Sequence, residues 1–232
     1  MKIIFITSLD LHHRFIISKI YNKFKNIEII KDKKKIKPKF NTKSPIIKRQ
    51  ALYEKKIWSK KKLKLPKNIN IKDANKTSNI KKIKKLKPQI IVTLGAIKLN
   101  SNFIKNFKRI KIVNLHGGNP NYYRGLDSHY WAIYHNDFQN LQVCLHFIEN
   151  KLDTGKIIQI KKIQLFKNMK LHQLRSKNAE IAQEILFKFL TNTSSKKKII
   201  LKKNNSGRYY SFMPAPIKKI IENKFNNFVQ KL

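Results

Sequence analysis

Short, unbroken apolar runs alternate along this chain with segments whose apolar residues recur every three or four positions. Lys2 to Thr7 and Gln89 to Gly95 are runs rich in β-branched side chains, the pattern of strands buried on both faces. Ile27 to Ile30 and Ile110 to Asn114 read as two further strands. Between them, Phe15, Ile16, Ile20 and Phe24 fall at helical spacing over His12 to Phe24, and helices are predicted for Gln50 to Ser59 and Asn75 to Leu86. Residues 31–49 carry many lysines, two prolines and little periodicity, so they read as a basic loop. Alternation of this kind implies an α/β fold with a mostly parallel sheet and helices on both faces. In such sheets ligands sit beyond the carboxyl ends of the strands, where Gly95 and Asn114 fall.

The second half continues with a short helix from Ser128 to His135. Two strands, Gln142 to Glu149 and Lys156 to Leu165, flank the turn around Asp153 like a hairpin. Leu171, Leu174, Ile181, Ile185, Phe189 and Leu190 mark a long amphipathic helix. A Lys-rich connector at 196–203, an extended segment from Gly207 to Pro214 and a last helix to Leu232 follow. The pattern divides into a main domain over residues 1–190 and a short, helical C-terminal extension over 191–232, packed on or tethered to the core. No internal repeats are visible.

Composition narrows this picture. At 232 residues the chain has room for one large domain or one with a modest appendage. Cys144 is the only cysteine, which excludes an internal disulfide and a cysteine-built zinc site and suits a reducing compartment. The N-terminal apolar run lacks a cleavage site, and no stretch approaches the roughly 20 apolar residues that span a bilayer. A cytoplasmic protein with no membrane partner is therefore expected. The net charge of +41 would ordinarily point to nucleic acid. Yet only six of the 53 basic residues are Arg, and the lysines are mixed with Ile and Asn as in AT-rich coding sequences, so the charge reads mainly as drift on solvated faces. Residues 111–160 are the exception, with four basic side chains (Lys111, Arg124, Lys151, Lys156) and four acidic ones (Asp127, Asp137, Glu149, Asp153).

This neutral island holds Asn114-Leu115-His116-Gly117-Gly118 and, about forty residues on, Leu152-Asp153-Thr154-Gly155. An Asn amide can donate to an oxyanion, a His can shuttle a proton, and a carboxylate can orient that His. Without a nucleophilic Ser or Cys in the set, direct acyl transfer to an amine is the chemistry it suits, with other acyl chemistries open. Asp127 with Ser128 is read as the cap of the helix that follows, and His12, His13 and Arg14 as a helix start that could meet an anion. His129 and His135 have no acidic or cysteine partners at ligand spacing, so no metal is expected.

Asn114-Leu115-His116, Tyr123-Arg124-Gly125 and Leu152-Asp153-Thr154-Gly155, preceded by Lys87-Pro88-Gln89-Ile90-Ile91-Val92, resemble the folate-dependent formyltransferases over about residues 88 to 160. The resemblance implies a Rossmann-like formyltransferase fold, with residues 1–190 as the catalytic domain and 10-formyltetrahydrofolate as formyl donor. It implies that Asn114 stabilises the oxyanion, that His116 stands beside it as donor or proton shuttle, and that Asp153 holds His116 and takes or relays the amine proton. Leu94, Gly95, Ala96 and Ile97 would contact the folate, together with Gly117 and Gly118. Tyr122, Tyr123 and Arg124 are candidates for binding a nucleotide-linked substrate. Gly117-Gly118-Asn119-Pro120 departs from the family pattern, in which Pro-Ser and two leucines commonly follow the His.

The acceptor is approached by elimination within the family. The purine-pathway branch has a Gly-rich phosphate loop after the first strand, where this chain has Thr7-Ser8-Leu9-Asp10-Leu11. The methionyl-tRNA branch adds a C-terminal barrel domain, for which the 72 residues after Ile160 leave little room. A nucleotide-linked amino sugar is thus the expected partner. A tRNA formyltransferase reduced in its C-terminal part, a folate deformylase, and a non-catalytic basic nucleic-acid-binding protein on the same scaffold are the alternatives. The oligomeric state, a homodimer included, is left open.

Overall fold

The computed structural model describes residues 1–59 and 61–232. Seven strands form one sheet: β1 (Ile3–Thr7), β2 (Ile27–Asp32), β3 (Asn68–Ile71), β4 (Ile90–Leu94), β5 (Lys111–His116), β7 (Gln142–Phe147) and β8 (Ile157–Lys162). Their spatial order is β3-β2-β1-β4-β5-β7-β8. Pairing is parallel from β3 through β5, and β7 runs antiparallel to both of its neighbours. A separate two-stranded ribbon pairs β6 (Tyr123–Gly125) in parallel with β9 (Arg208–Tyr210). The strand order reverses between β1 and β4, and a crevice opens beyond the carboxyl ends of strands at such a point.

Helices cover both faces. On one lie α1 (Leu11–Tyr21), α2 (Pro45–Trp58), α5 (Ser128–Tyr134), α6 (Leu174–Ser194) and α7 (Ala215–Gln230). They enclose a core built on Ile3, Phe5, Ile29, Val92 and Val113, in which Phe15 of α1 stacks on Trp58 of α2 at 4.5 Å. On the other face, α3 (Thr77–Lys85) and α4 (Ser101–Asn106) pack Ile80, Ile83 and Phe103 on Ile4, Ile6 and Ile91. The strand residues alternate between the two cores because successive side chains of a strand point to opposite faces. That is why β1 and β4 are apolar at nearly every position. In α7, Ile221, Phe225 and Val229 recur every fourth residue and enter the first core, so the segment after residue 190 shares the hydrophobic interior of what precedes it. Among the described residues no helix is long and apolar enough to cross a membrane.

Strand β6 was not expected from the sequence, and three other elements differ from the expectation as well. Helix α2 begins at Pro45, inside the stretch read as a basic loop, because Pro45 is a helix-starting proline: Ser44 caps it by accepting from the Ile46 N–H. Strand β3 alternates over only four residues and is half exposed, so its pairing with β2 defines it more than its own pattern does. Helix α4 has six residues and a single fully buried side chain, Phe103, too few for helical periodicity to register.

Candidate active site

Strands β4, β5 and β7 bring Thr93, Asn114 and His146 into register as direct cross-strand neighbours. Facing residues on adjacent strands share one side of a sheet, and His116 joins them from two positions further along β5. Their side chains line one cavity of about 440 Å³, which Asp153 enters from the β7–β8 turn. The resemblance named Asn114, His116 and Asp153, and the fold brings all three together. His146 and Thr93 were not anticipated; the available signal was a histidine at a buried position of an otherwise apolar strand, Val143 to Phe147.

The hydrogen bonds fix the orientation of each group. Thr93 Oγ1 donates to Asn114 Oδ1 at 2.7 Å, which turns the amide nitrogen toward the cavity. Asn114 Nδ2 lies 3.3 Å from both Asp153 Oδ1 and His146 Nε2. The two imidazoles are each anchored at one nitrogen by a backbone carbonyl: His116 Nε2 by Tyr123 at 2.9 Å and His146 Nδ1 by Phe147 at 2.7 Å. A carbonyl only accepts, so each anchored nitrogen carries a proton whether its ring is neutral or charged, and the other nitrogen of each ring faces Asp153. His116 Nδ1 is 3.6 Å from Asp153 Oδ2 and His146 Nε2 is 3.4 Å from Oδ1. The Gly125 N–H also donates to Oδ2, at 2.9 Å. Burial by itself would raise the Asp153 pKa; the charge of His116, the His146 contact and the Gly125 bond outweigh it and hold the carboxyl well below the usual carboxylate range.

The segment after β4 forms a second wall. Gly95 takes φ +57°, and a Cβ there would lie 2.2 Å from the His13 ring, so glycine lets the buried imidazole of α1 sit beneath the loop. Leu94, Gly95, Ala96 and Ile97 all line the cavity, and among the described residues the backbone groups of Ala96 and Ile97 make no hydrogen bond. Burial pushes the His13 pKa well down and that of His129, whose Nε2 donates to the Gln142 carbonyl, to about 4. Gly117 lines the cavity, next to Asn178 of α6, whose buried Oδ1 has no hydrogen-bond partner among the described residues. Gly118 does not line it; a Cβ there would meet the His116 ring at 2.8 Å, so this glycine packs against the imidazole.

Tyr122, Tyr123 and Arg124 do not line the cavity. Tyr122 is exposed, Tyr123 is buried with its hydroxyl donating to Asp137 at 2.9 Å, and Arg124 is bound to the carbonyls of Gly207 and Leu152. Two tyrosines line it instead: Tyr130 of α5, which is buried, and Tyr209 of β9, half of which is exposed. His12 and His13 line the cavity, whereas Arg14 points to solvent. Asp127 does not cap α5: with φ +50° it has no side-chain bond to the helix, and its Oδ2 accepts from the Met213 N–H at 2.9 Å with Lys218 Nζ at 3.4 Å. The left-handed backbone turns its carboxylate toward the C-terminal segment.

An amide donor, two imidazoles and an ionised carboxylate at the carboxyl edge of a parallel sheet can polarise a carbonyl and move an amine proton. The sequence profile of the formyl transferase family matches residues 1–190. The chain belongs to that family. Membership makes it a group-transfer enzyme whose transferred unit is a formyl group. No curated protein matches it. Solved structures show the same fold. A 4-N formyltransferase from Francisella tularensis is 19% identical, with 90% of this chain and 76% of that one covered at a TM-score of 0.60. A sugar N-formyltransferase from Shewanella is 13% identical, covering 91% and 76% at 0.59. An N-formyltransferase from Helicobacter canadensis, solved with folinic acid and dTDP-3-aminofucose, is 17% identical, covering 91% and 71% at 0.56.

Proposed function

We propose that this formyltransferase moves the formyl group of 10-formyltetrahydrofolate to the primary amine of a nucleotide-linked amino sugar. The observation that carries the reading is the convergence of Asn114 Nδ2, His116 Nδ1 and His146 Nε2 on the Asp153 carboxylate. The folate supplies a formyl group on a nitrogen that can depart as an amine. The residues fit such a donor: the unpaired backbone edge at Ala96 and Ile97 suits the hydrogen-bonding rim of a pterin, beside the apolar side chains of Leu94 and Ile97.

As the amine attacks, Asn114 Nδ2 donates to the formyl oxygen while negative charge builds there. Thr93 holds the other end of the amide, so the donor is already aimed. A carboxyl held as low as Asp153 is a weak base, so it keeps its charge and steadies an imidazole that takes the proton. His116 Nδ1 and His146 Nε2 are the nitrogens placed to take that proton and to return it to the departing nitrogen as its bond to the formyl carbon breaks. The unpartnered Asn178 Oδ1 offers an acceptor for an N–H of the incoming amine, and Tyr209 a ring on which a base can stack. The sugar nucleotide bound by the Helicobacter neighbour supports this acceptor class.

The net charge of +41 favours a second acceptor, an aminoacylated tRNA. A formyl-transfer assay against amino-sugar nucleotides and methionyl-tRNA, read by product mass, separates the two. Formylated sugar is expected, with a shallow salt dependence; product from tRNA alone, falling steeply with salt, would establish the other acceptor. Asn114→Ala, His116→Ala and Asp153→Asn should each lower turnover by about 100 to 1000-fold in folded protein. Near-normal turnover in any of them removes the role assigned to that residue.

A further inference from the structure

The family profile stops at residue 190, but the chain returns to the active site after it. Lys202 and Ile157 exchange both backbone hydrogen bonds, at 2.8 and 2.9 Å. Two residues on, Asn204 Nδ2 donates to the carbonyls of Asp153 and Gly155, each at 3.0 Å. The Gly207 N–H donates to the Pro120 carbonyl at 2.9 Å, and Arg124 clasps the same stretch, with Nε on the Gly207 carbonyl at 2.5 Å and a guanidinium nitrogen on the Leu152 carbonyl at 3.2 Å. β9 then pairs with β6, whose Gly125 N–H donates to Asp153 Oδ2. Residues 202–210 therefore bear on Asp153 from its main chain and, through β6, from its carboxylate.

Asp153 needs that support. Its φ is +53°, a left-handed conformation uncommon for residues other than glycine. The backbone angles set where its Cβ points, and the carboxylate has to reach Gly125, His116 and His146 together. Asn204 draws the carbonyls on either side of Thr154 onto one amide nitrogen, which closes the turn in this conformation. Asn204 Oδ1 accepts from the Ser206 N–H at 2.9 Å, so the amide itself cannot rotate away.

We propose that Asn204 is a positioning residue for Asp153, and that the strap at residues 202–210 is part of the active site. The inference rests on the role given to Asp153 above. Asn204→Asp is the discriminating variant: it keeps the oxygen that accepts from Ser206 and puts a second oxygen, without a proton, against the two carbonyls. If misplacing the carboxylate is what matters, kcat should fall about 10 to 100-fold while KM for donor and acceptor stays within about twofold. Asn204→Ala removes the donors without adding charge and should show the same kind of loss; it carries the comparison if Asn204→Asp does not fold.

The same substitutions in an Asp153→Asn background test whether Asn204 acts through Asp153. No further loss of kcat is expected there, because coupled residues are non-additive. In parallel, the imidazole nitrogen resonances of His116 and His146 should shift in Asn204→Asp as their carboxylate moves, whatever the turnover. An equal fold-loss in both backgrounds, or unshifted imidazole signals with kcat reduced, overturns the proposal. Full turnover in Asp153→Asn alone would instead overturn the catalytic reading of Asp153, and the imidazole signals would still report whether Asn204 sets its position.

Discussion

Thr93→Val removes one hydroxyl and leaves side-chain shape nearly unchanged, so it isolates the bond that aims Asn114. Thr93 is buried, and its Oγ1 donates to Asn114 Oδ1 at 2.7 Å while Nδ2 faces Asp153 and His146. Losing a neutral hydrogen bond costs about 0.5 to 1.5 kcal/mol net, and about 1 kcal/mol corresponds to roughly fivefold in rate. The amide does not turn over freely once released, because that would set Oδ1 against the Asp153 carboxylate. The loss should thus stay far below the roughly 100 to 1000-fold expected when the donor itself is removed. We expect kcat to fall about 5 to 10-fold with KM for both substrates unchanged, and Thr93→Ser to recover most of it. Steady-state formyl transfer, with melting curves to verify folding, measures this. Wild-type kcat in Thr93→Val, or a Ser variant as impaired as the Val variant, would refute the claim that the hydroxyl orients the amide.

Two further outcomes follow from the geometry. Tyr209→Ala should raise KM for a nucleotide-linked acceptor about 5 to 150-fold, the equivalent of the about 1 to 3 kcal/mol of a base stacked on an aromatic ring, and leave KM for the folate unchanged; equal effects on both would place the ring elsewhere in the reaction. His129 has a folded pKa of about 4 against an unfolded value near 6.5, so the unfolded chain binds a proton that the fold excludes. Its contribution to stability is therefore present above pH 6.5 and lost as pH falls toward 4, about 3 kcal/mol in all. His129→Gln, which keeps a donor for the Gln142 carbonyl, should flatten urea-denaturation stability over that window; identical pH slopes in the two proteins would rule His129 out as the source.

Much of the scaffold was legible because the buried parallel strands β1 and β4 carry a single threonine each and otherwise read as apolar runs. The catalytic candidates Asn114, His116 and Asp153 were legible because they sit in two short motifs with glycine neighbours. Local pattern was misread at Pro45, and it failed at Asp127, where the deciding neighbour is distant. Pro45 looks like a breaker until Ser44 is seen capping a helix, and Asp127 looks like a cap until its left-handed backbone turns it to Met213. Tyr122, Tyr123 and Arg124 are adjacent in the chain yet one faces solvent, one the core and one the C-terminal strap.

The sequence by itself determined an α/β protein with an amide, an imidazole and a carboxylate at a sheet's ligand edge, since burial and turn chemistry are written in runs of a few residues. Tertiary structure alone decided that His146 stands beside Asn114, because the register of an antiparallel strand across some thirty residues puts it there. It alone decided that Thr93 aims the amide and that Asn204 closes on Asp153 from 51 residues away. Those contacts are made by side chains whose own neighbourhoods in the chain carry no trace of their partners, and they exist only once the sheet, the ribbon and the C-terminal segment are packed together.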